Sequence, residues 1–535
     1  MDDVINKPSS ANYSFKTDKL ALGGAFEGAK RTSRETSSWD AESAPPDQVI
    51  DNVKEMADAR THDVLFNDGY LTGALSIHKD TIVGDEYRLS AKPNWKMLGV
   101  SEEWAKEFQT IVEARFNTIS NSGENWLDAS GHNTLTKTIR LAIGSTLMTG
   151  EVLGVAEWMK GGGRPFSTAM QLVSPDRLSN PRGVSNDQNL KRGVVLNKHG
   201  APTSYWISKW HPGDTQHNGY QTWKRINKSK PWGRGQVLHL FEQVQPAQSR
   251  GIAEMVAVLK QMKMTKSLQD VTLQSAVVAA SYAATIESEL PPAEVYTALG
   301  ADSTNPTDGI NQYLANYMDM NATYLEHAKN VHIDGAKIPA IVPGTKLNIQ
   351  SLGTPGSVGS SYEQSLLRHI AAALNLSYEQ FSRDYTQTNY SSARASMNES
   401  YRGMMTKKKH VADATANFIY KLWLEEDIMR GNIPLPPGKD ASWFYEPLVK
   451  EAICSASWVG GSRGQIDEVK ETNAAIARIG SQLSTRKIEC ARLGNDWQDV
   501  LEQQARESEM MRDLDLVPAE IQDDVIPTDK DDKDD

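Results

Sequence analysis

The chain has 535 residues, 39% hydrophobic and 23% charged, with a net charge of −11. That length predicts several structural modules, and that balance a folded, water-compatible chain. Such a charge excludes the basic footprint of a protein that grips nucleic acid through its phosphates. The last thirteen residues, from Asp523, carry seven Asp and two Lys, so the tail holds −5 and the remainder −6. The opening MDDVINKPSS is acidic and has no apolar core, so no secretory signal is read. Ala276 to Ile286 falls short of the roughly 20 apolar residues of a membrane helix, so no membrane role is expected. Two cysteines, Cys454 and Cys490, make neither a zinc cluster nor a disulfide framework; both are expected as free thiols. Thirteen tryptophans hint at interfaces.

Residues 1–44, rich in Ser, Thr, Lys and Glu, read as a flexible N-terminal arm. After Pro45-Pro46-Asp47, the positions Val49, Ile50, Val53, Met56 and Arg60 predict a helix. Glu102–Phe116, through Trp104, Phe108 and Val112, predicts another, and Thr134–Met148 a third. From Glu151 to Val244 the pattern changes to short strands: Val152–Trp158, Val194–Leu196, Tyr205–Ile207 and Val237–Phe241, with His199-Gly200 as a hairpin turn. Residues 45–250 are therefore a mixed α+β region.

Ile252–Ile286 contains neither Gly nor Pro and predicts one helix of roughly 50 Å. Met255, Leu259 and Met262 share one face of its first part. Met264, Leu268, Val271, Ser275, Val278 and Tyr282 form a seam along the second, and several alanines slim the distal end. A helix of this length suggests a spoke in an assembly, although a long helix across a monomeric domain has the same periodicity. Pro291-Pro292 ends it. A small module follows, with a helical stretch at Tyr313–His327 and a hairpin turning at Asp334-Gly335. A Gly- and Ser-rich piece, Gly353–Ser361, precedes a second helix, Tyr362–Leu374. A polar loop, Ser382–Ser392, then opens a long helix from Ala393 towards Met429. Strand-like Ala456–Val459 leads to C-terminal helices at Gln465–Ile479 and Ser484 to about Leu514, and the acidic tail from Val517 reads as disordered.

Gly460-Gly461-Ser462-Arg463-Gly464 matches the G-x-S-x-G nucleophile elbow, which raises a soluble hydrolase using Ser462 as the competing reading. That chemistry needs a histidine base downstream, and the last histidine is His410. A glycine turn is preferred. No P-loop is present: in the partial match ending Gly438-Lys439, Ile433 stands at the leading glycine and Asp440 at the hydroxyl residue. No H-E-x-x-H occurs either, so no catalytic residue, metal ligand or cofactor is assigned and the chain is not expected to be an enzyme.

Several blocks resemble the portal family of lambda-type tailed bacteriophages. They include Asn67-Asp68-Gly69-Tyr70, His78 with Asp80 and Ile82-Val83-Gly84, Val173-Ser174-Pro175, and His239 with Phe241 ahead of Arg250-Gly251. Tyr282–Leu290, Glu363–Arg368, Ser377–Gln380, Ala393–Ser396, Trp423–Glu426 and Glu489-Cys490-Ala491 continue the series. Their order and spacing, from about residue 50 to about 510, carry the likeness.

The resemblance implies a mainly helical α+β portal fold with wing, helical stem, clip and crown, assembled as a homo-dodecameric ring at one capsid vertex. Laid on this chain, 45–250 is wing, 251–286 stem helix, 287–345 clip, 346–376 returning stem helix and 377–396 tunnel loop. Residues 397–464 are wing helix and return strand, 465–516 crown helices and 517–535 the acidic tail. It further implies a DNA channel for packaging and ejection, with double-stranded DNA passing without sequence readout. Its implied partners are the terminase large subunit and later the head–tail connector protein at the clip, with major capsid and scaffold proteins during nucleation of the capsid. The setting is the virion, and the host cytoplasm during assembly.

Arg383, Tyr385, Asn389, Tyr390 and Arg394 are the candidate DNA contacts of the tunnel loop; alternatively the loop is a surface segment whose Ser391 or Ser392 caps the next helix. Lys260, Lys263 and Lys266, three apart, line the channel or form an intersubunit salt-bridge row. Twelve copies at −11 give roughly −130 charges, so long-range attraction for DNA is expected to be weak or repulsive.

Overall fold

The computed structural model describes residues 34, 38–39, 43–216, 221–281, 315–316, 318–319, 323, 331–333, 336–338, 358–386, 388–462 and 468–514. Most of the N-terminal arm, most of the 287–345 module, the Asp334-Gly335 turn and the acidic tail lie outside them.

Pro46 at the first helical position opens α1 (Pro46–Asn67), where its missing N–H costs nothing. Of the positions that predicted the helix, Ile50 faces in, with Lys54, Ala57, Thr61 and Leu65, whereas Val49, Val53 and Met56 are exposed. An internal carboxylate, described below, draws Lys54 inward and sets the rotation. Asp68 accepts from the Leu71 N–H and starts α2 (Gly69–Ile82). Strand β1 (Arg88–Ala91) follows, then a single turn α3 (Trp95–Leu98). Ser101 caps α4 (Glu102–Ser120), whose Trp104, Phe108, Val112 and Phe116 are buried at the predicted spacing of four. Thr134 caps α5 (Leu135–Thr149).

Two antiparallel sheets come next. In the first, β2 (Glu151–Trp158) lies between β3 (Thr168–Val173) and β8 (Val237–Phe241). The second runs β4 (Leu190–Lys191), β5 (Val194–Leu196), β6 (Pro202–Ser208) and β7 (Trp223–Asn227) in order. The hairpin predicted at His199-Gly200 joins β5 and β6, with Gly200 at φ +77°. Side chains alternate along β2 as a two-residue period requires. Val152 belongs to the main, helix-lined core, whereas Leu153 and Val155 join Val173, Val194, Tyr205 and Ile207 in a smaller core between the sheets.

The long helix does not begin at Ile252. A 3₁₀ turn covers Glu254–Val258, and the α-helix α6 runs Leu259–Ser281. Strands β9 (Val331–Ile333) and β10 (Ala336–Ile338) pair antiparallel with Ile333 opposite Ala336, the two-residue spacing predicted for that hairpin. Helix α7 (Val358–Ala373) starts four residues before the expected Tyr362. Ser377 and Gln380 form a reciprocal capping box on α8 (Tyr378–Ser382). A continuous rod then comprises α9 (Tyr390–Lys407), a π-turn at Lys408–Ala412 and α10 (Asp413–Met429). After α11 (Val449–Ile453), strand β11 (Ala456–Val459) returns to pair with β1, Arg88 opposite Val459. The C-terminal part holds α12 (Glu468–Gly480), α13 (Arg486–Arg492) and α14 (Trp497–Asp513). The single helix expected over Ser484–Leu514 is thus divided at Gly494, which takes φ +83°.

The main core closes on aromatic rings. Phe116 meets Trp423, Tyr420 and Trp458 at 5.1, 5.4 and 5.9 Å between centroids, and Tyr87 stacks on Trp458. Gly460 and Gly461 of the elbow-like motif belong to this closure. A Cβ on Gly461 would lie 2.4 Å from the Asp80 carbonyl oxygen, and one on Gly460 2.7 Å from the Tyr87 ring. Close backbone approach therefore accounts for those two glycines without any catalytic role.

His78 is fully buried, and its Nε2 hydrogen-bonds the Leu374 carbonyl at 3.0 Å. Burial and the nearby Lys407 charge lower its pKa to about 3, against the opposing pull of that carbonyl. The unfolded chain therefore binds a proton below about pH 6.5 that the folded chain refuses. Stability should be complete above pH 6.5 and fall as pH drops towards 3, by up to ~1.4 kcal/mol per unit from this group. Urea denaturation of wild type and His78→Gln across that window checks it, with a flatter profile expected for the variant.

Candidate functional site

The segment that leads into α6 is anchored by a buried charge knot. Glu151, the first residue of β2, is wholly buried and accepts from Arg250 Nη2 at 2.5 Å, from the Gly251 N–H at 3.1 Å, and lies 3.2 Å from Lys54 Nζ. His239 Nε2 of β8 sits 2.9 Å from Oε2, the oxygen that accepts from Gly251. Arg250 spends its remaining donors on the carbonyls of Leu178, Arg192 and Pro175. Burial alone would raise the Glu151 pKa, but the Arg250 and Lys54 charges and the His239 and Arg250 hydrogen bonds hold it well below the usual range. Burial pushes the Asp58 carboxyl up to about 6 although Lys54 pairs with it at 2.9 Å.

Glu151 thus ties α1, the first sheet and the root of α6 together, and Arg250 extends the joint to the Arg192 carbonyl beside the second sheet. The sequence reading noted Arg250-Gly251 and His239 only as matching residues and missed Glu151 and Lys54. Backbone packing reinforces the joint. Gly150 takes φ +77°, and a Cβ there would fall 2.1 Å from the Ile252 carbonyl carbon. Gly150→Ala should therefore destabilise the fold by more than the ~1 kcal/mol of a typical point substitution, as a lowered melting temperature.

Beyond this root, α6 leaves the core. Met255 and Met262 are buried as expected, but Met264, Val271, Leu273 and Val277 are 47%, 62%, 66% and 57% exposed. Val271 and Leu273 lie about 200° apart around the helix, so they occupy opposite sides. Met264 shares the Val271 side and Val277 the Leu273 side. Helix α7 packs alongside, with Gln269 Nε2 donating to Glu363 at 2.6 Å. Lys260, Lys263 and Lys266 are all exposed, and Lys266 donates to the Asn67 carbonyl at the end of α1 at 3.2 Å.

The polar loop between α8 and α9 is a built turn. Arg383 ends α8 in the left-handed region, φ +61°, and is exposed. Asp384 accepts from the Thr386 N–H and hydroxyl, bonds that lower its pKa. Tyr385 is 52% exposed. Helix α9 opens at Tyr390, three residues before the expected Ala393. Its cap is Asn389, whose Oδ1 accepts from the Ser392 N–H at 2.8 Å, rather than Ser391 or Ser392. Asn389 therefore commits its side-chain oxygen to the helix. Arg394 lies half-buried in the first turns of α9.

Among the described residues no helix is long and apolar enough to cross a membrane, and no group of three or more His, Cys, Asp or Glu is placed to hold a metal ion. The family model "Phage portal protein, lambda family" matches residues 32–408, well over half of the chain. The chain belongs to the lambda family of phage portal proteins.

Among its relatives, the portal protein of Escherichia phage N15 is 38% identical over 499 residues, 93% of this chain and 91% of the relative. Portal protein B of Escherichia phage lambda is 37% identical over 502 residues, 93% and 90%. Solved structures similar to it include the neck of an empty gene transfer agent particle (TM-score 0.40, 12% identity, 81% of this chain and 93% of that one). The virion of a native gene transfer agent particle gives a TM-score of 0.34 at 11% identity, covering 84% and 94%. As a portal protein, the chain is a ring-forming component of the virion in the capsid and tail assembly, with a mainly helical α+β portal fold.

Proposed function

We propose that copies of this chain close α6 against one another around a central opening and pass double-stranded DNA through it during packaging and ejection. The observation that carries this reading is the exposure of apolar side chains on two opposite sides of α6. A rotational ring needs two different patches per subunit, because each copy meets one neighbour on its left and another on its right. Met264 with Val271, and Leu273 with Val277, supply such a pair. The assignment of 45–250 as wing, 251–286 and 346–376 as stem, 287–345 as clip and 465–516 as crown accompanies this reading, as does a copy number of twelve.

A conduit must centre DNA without holding it. A net charge of −11 per copy disfavours long-range capture, so local contacts matter. The loop supplies exposed Arg383 and Tyr385, suited to transient, sequence-independent contact with phosphates. Arg394 supports that contact from the first turns of α9 and Asn389 shapes the loop, while the side chain of the candidate Tyr390 lies outside the described residues. Lys260 and Lys263 add exposed positive charge along α6, while Lys266 fastens α6 to α1.

The clip would receive the terminase large subunit and then the connector protein, and the wing the scaffold and major capsid proteins, in the host cytoplasm before the virion is complete. The work of moving DNA falls to the partner motor, since this sequence carries no P-loop. The chain itself acts as structure, not catalyst.

Arg383→Ala with Tyr385→Ala should lower the amount or retention of packaged DNA while rings still form, measured as the DNA content of purified heads. Unchanged DNA content would remove the loop from the mechanism.

A further inference from the structure

On the far side of the first sheet, the end of β2, strand β7 and the last turn of α10 enclose a cleft of about 1040 Å³. Two tryptophans stand at it half in solvent, Trp158 at 52% and Trp232 at 54% exposure. Arg234 lies over the Trp158 ring at 5.4 Å, and Lys224, Arg225 and Lys230 are exposed around it. Two of the three carboxylates at the cleft are already engaged, and the third, Glu157, is partly exposed. Glu425 lies 3.2 Å from Arg234 and accepts from Tyr445, while Glu426 accepts from the Ser167 and Thr168 N–H groups and from Arg430. What remains towards solvent is two indoles and a group of cations that outnumbers the one Glu157 carboxylate, on a chain that is acidic overall. Strand β7 is also an edge strand, bonded only to β6 among the described residues.

We infer that this cleft binds the chain's own acidic segment, residues 515–535. That segment holds nine acidic residues against two lysines, a net −7, with Ile521, Val525 and Ile526 spaced among them. Its carboxylates match Lys224, Arg225 and Lys230, and its branched apolar residues match the Trp158 and Trp232 faces. The segment also reaches. Gln498, at the start of α14, accepts from Gln109 of α4 at 2.9 Å, and Arg115 of α4 meets Asp427 at 2.7 Å, close to Met429 and Arg430 of the cleft. Gln109 and Arg115 are about 9 Å apart along α4, and α14 adds at most about 25 Å between Gln498 and Leu514. Twenty-one residues extend up to about 70 Å, enough whichever way α14 points. Docked there, the segment shields an aromatic surface that would otherwise attract other apolar chains. The inference stands apart from the channel reading and does not depend on it.

Two measurements test it. Hydrogen exchange at residues 223–234 and 425–432 should be slower in the full chain than in one ending at Leu514; identical exchange would overturn the proposal. Fluorescence anisotropy should then show a labelled 515–535 peptide binding the shortened protein. Trp232→Ala or Lys230→Glu should weaken it about tenfold or more, the loss typical of an aromatic anchor or a reversed charge. Both side chains are exposed, so the fold should survive, as circular dichroism would check. A peptide with Ile521, Val525 and Ile526 replaced by Ser should weaken similarly. Absence of binding, or binding indifferent to these changes, would refute the assignment.

Discussion

Arg250→Ala should cost about 3–5 kcal/mol of folding stability, because it strands Glu151 inside the protein with part of its compensation gone. A buried carboxylate does not regain water when its partner leaves. Lys54 and His239 remain beside it, but Arg250 also bonds the carbonyls of Leu178, Arg192 and Pro175, and those acceptors are orphaned together. Glu151→Gln should destabilise comparably, since Lys54 and Arg250 then lose their counter-charge. The pH dependence has a definite sign. With the folded pKa of Glu151 depressed, its contribution is complete above the ordinary carboxylate range near pH 4.3 and lost as pH falls through the folded value. Guanidinium denaturation of the isolated variants is the check. A shift no larger than about 0.5 kcal/mol, the range of neutral surface changes, would mean that the knot is not structural.

Val271→Asp should leave the subunit folded and abolish its assembly. Val271 is 62% exposed in the single chain, so the aspartate meets solvent and costs the monomer little. In a ring the same position is buried against the next copy, where an unpaired carboxylate is severely penalised. Leu273→Asp, on the opposite side of α6, should act alike. Mixing the two variants is informative. A head-to-tail contact joins the left patch of one copy to the right patch of the next, so mixed pairs form through the intact patches and stop short of closure. Light scattering should give monomers for each variant and dimers, but nothing longer, for the mixture, with unchanged circular dichroism. Full rings from Val271→Asp would place the subunit contact elsewhere.

Local signals made several elements legible. Trp104, Phe108, Val112 and Phe116 repeat every four residues because α4 lays one stripe on the core, and the spacing survives in the sequence. The β5–β6 hairpin announced itself through His199-Gly200, where only a glycine takes φ +77° cheaply. Strand Val237–Phe241 was read to the residue. The failures share a cause. Lys54 faces inward because Glu151, 97 positions later, holds it, and no local pattern records a partner at that distance. The same carboxylate fastens Gly251, so Ile252–Val258 cannot join the helix although its composition allows it. In the loop, Asn389 competed with Ser391 and Ser392 for the cap, and asparagine and serine are near-equal in that role. The outward sides of α6 were legible only in half: the Met264–Val271 seam has a clean spacing, whereas Leu273 and Val277 fall outside it.

The most direct trial of the central claim is an averaged electron-microscopy image of the purified full chain, viewed along its symmetry axis. The expected view is a closed ring of about twelve subunits, with helices lining a hole wide enough for duplex DNA. Solitary particles of subunit size, with α6 folded back against its own wing, would contradict it.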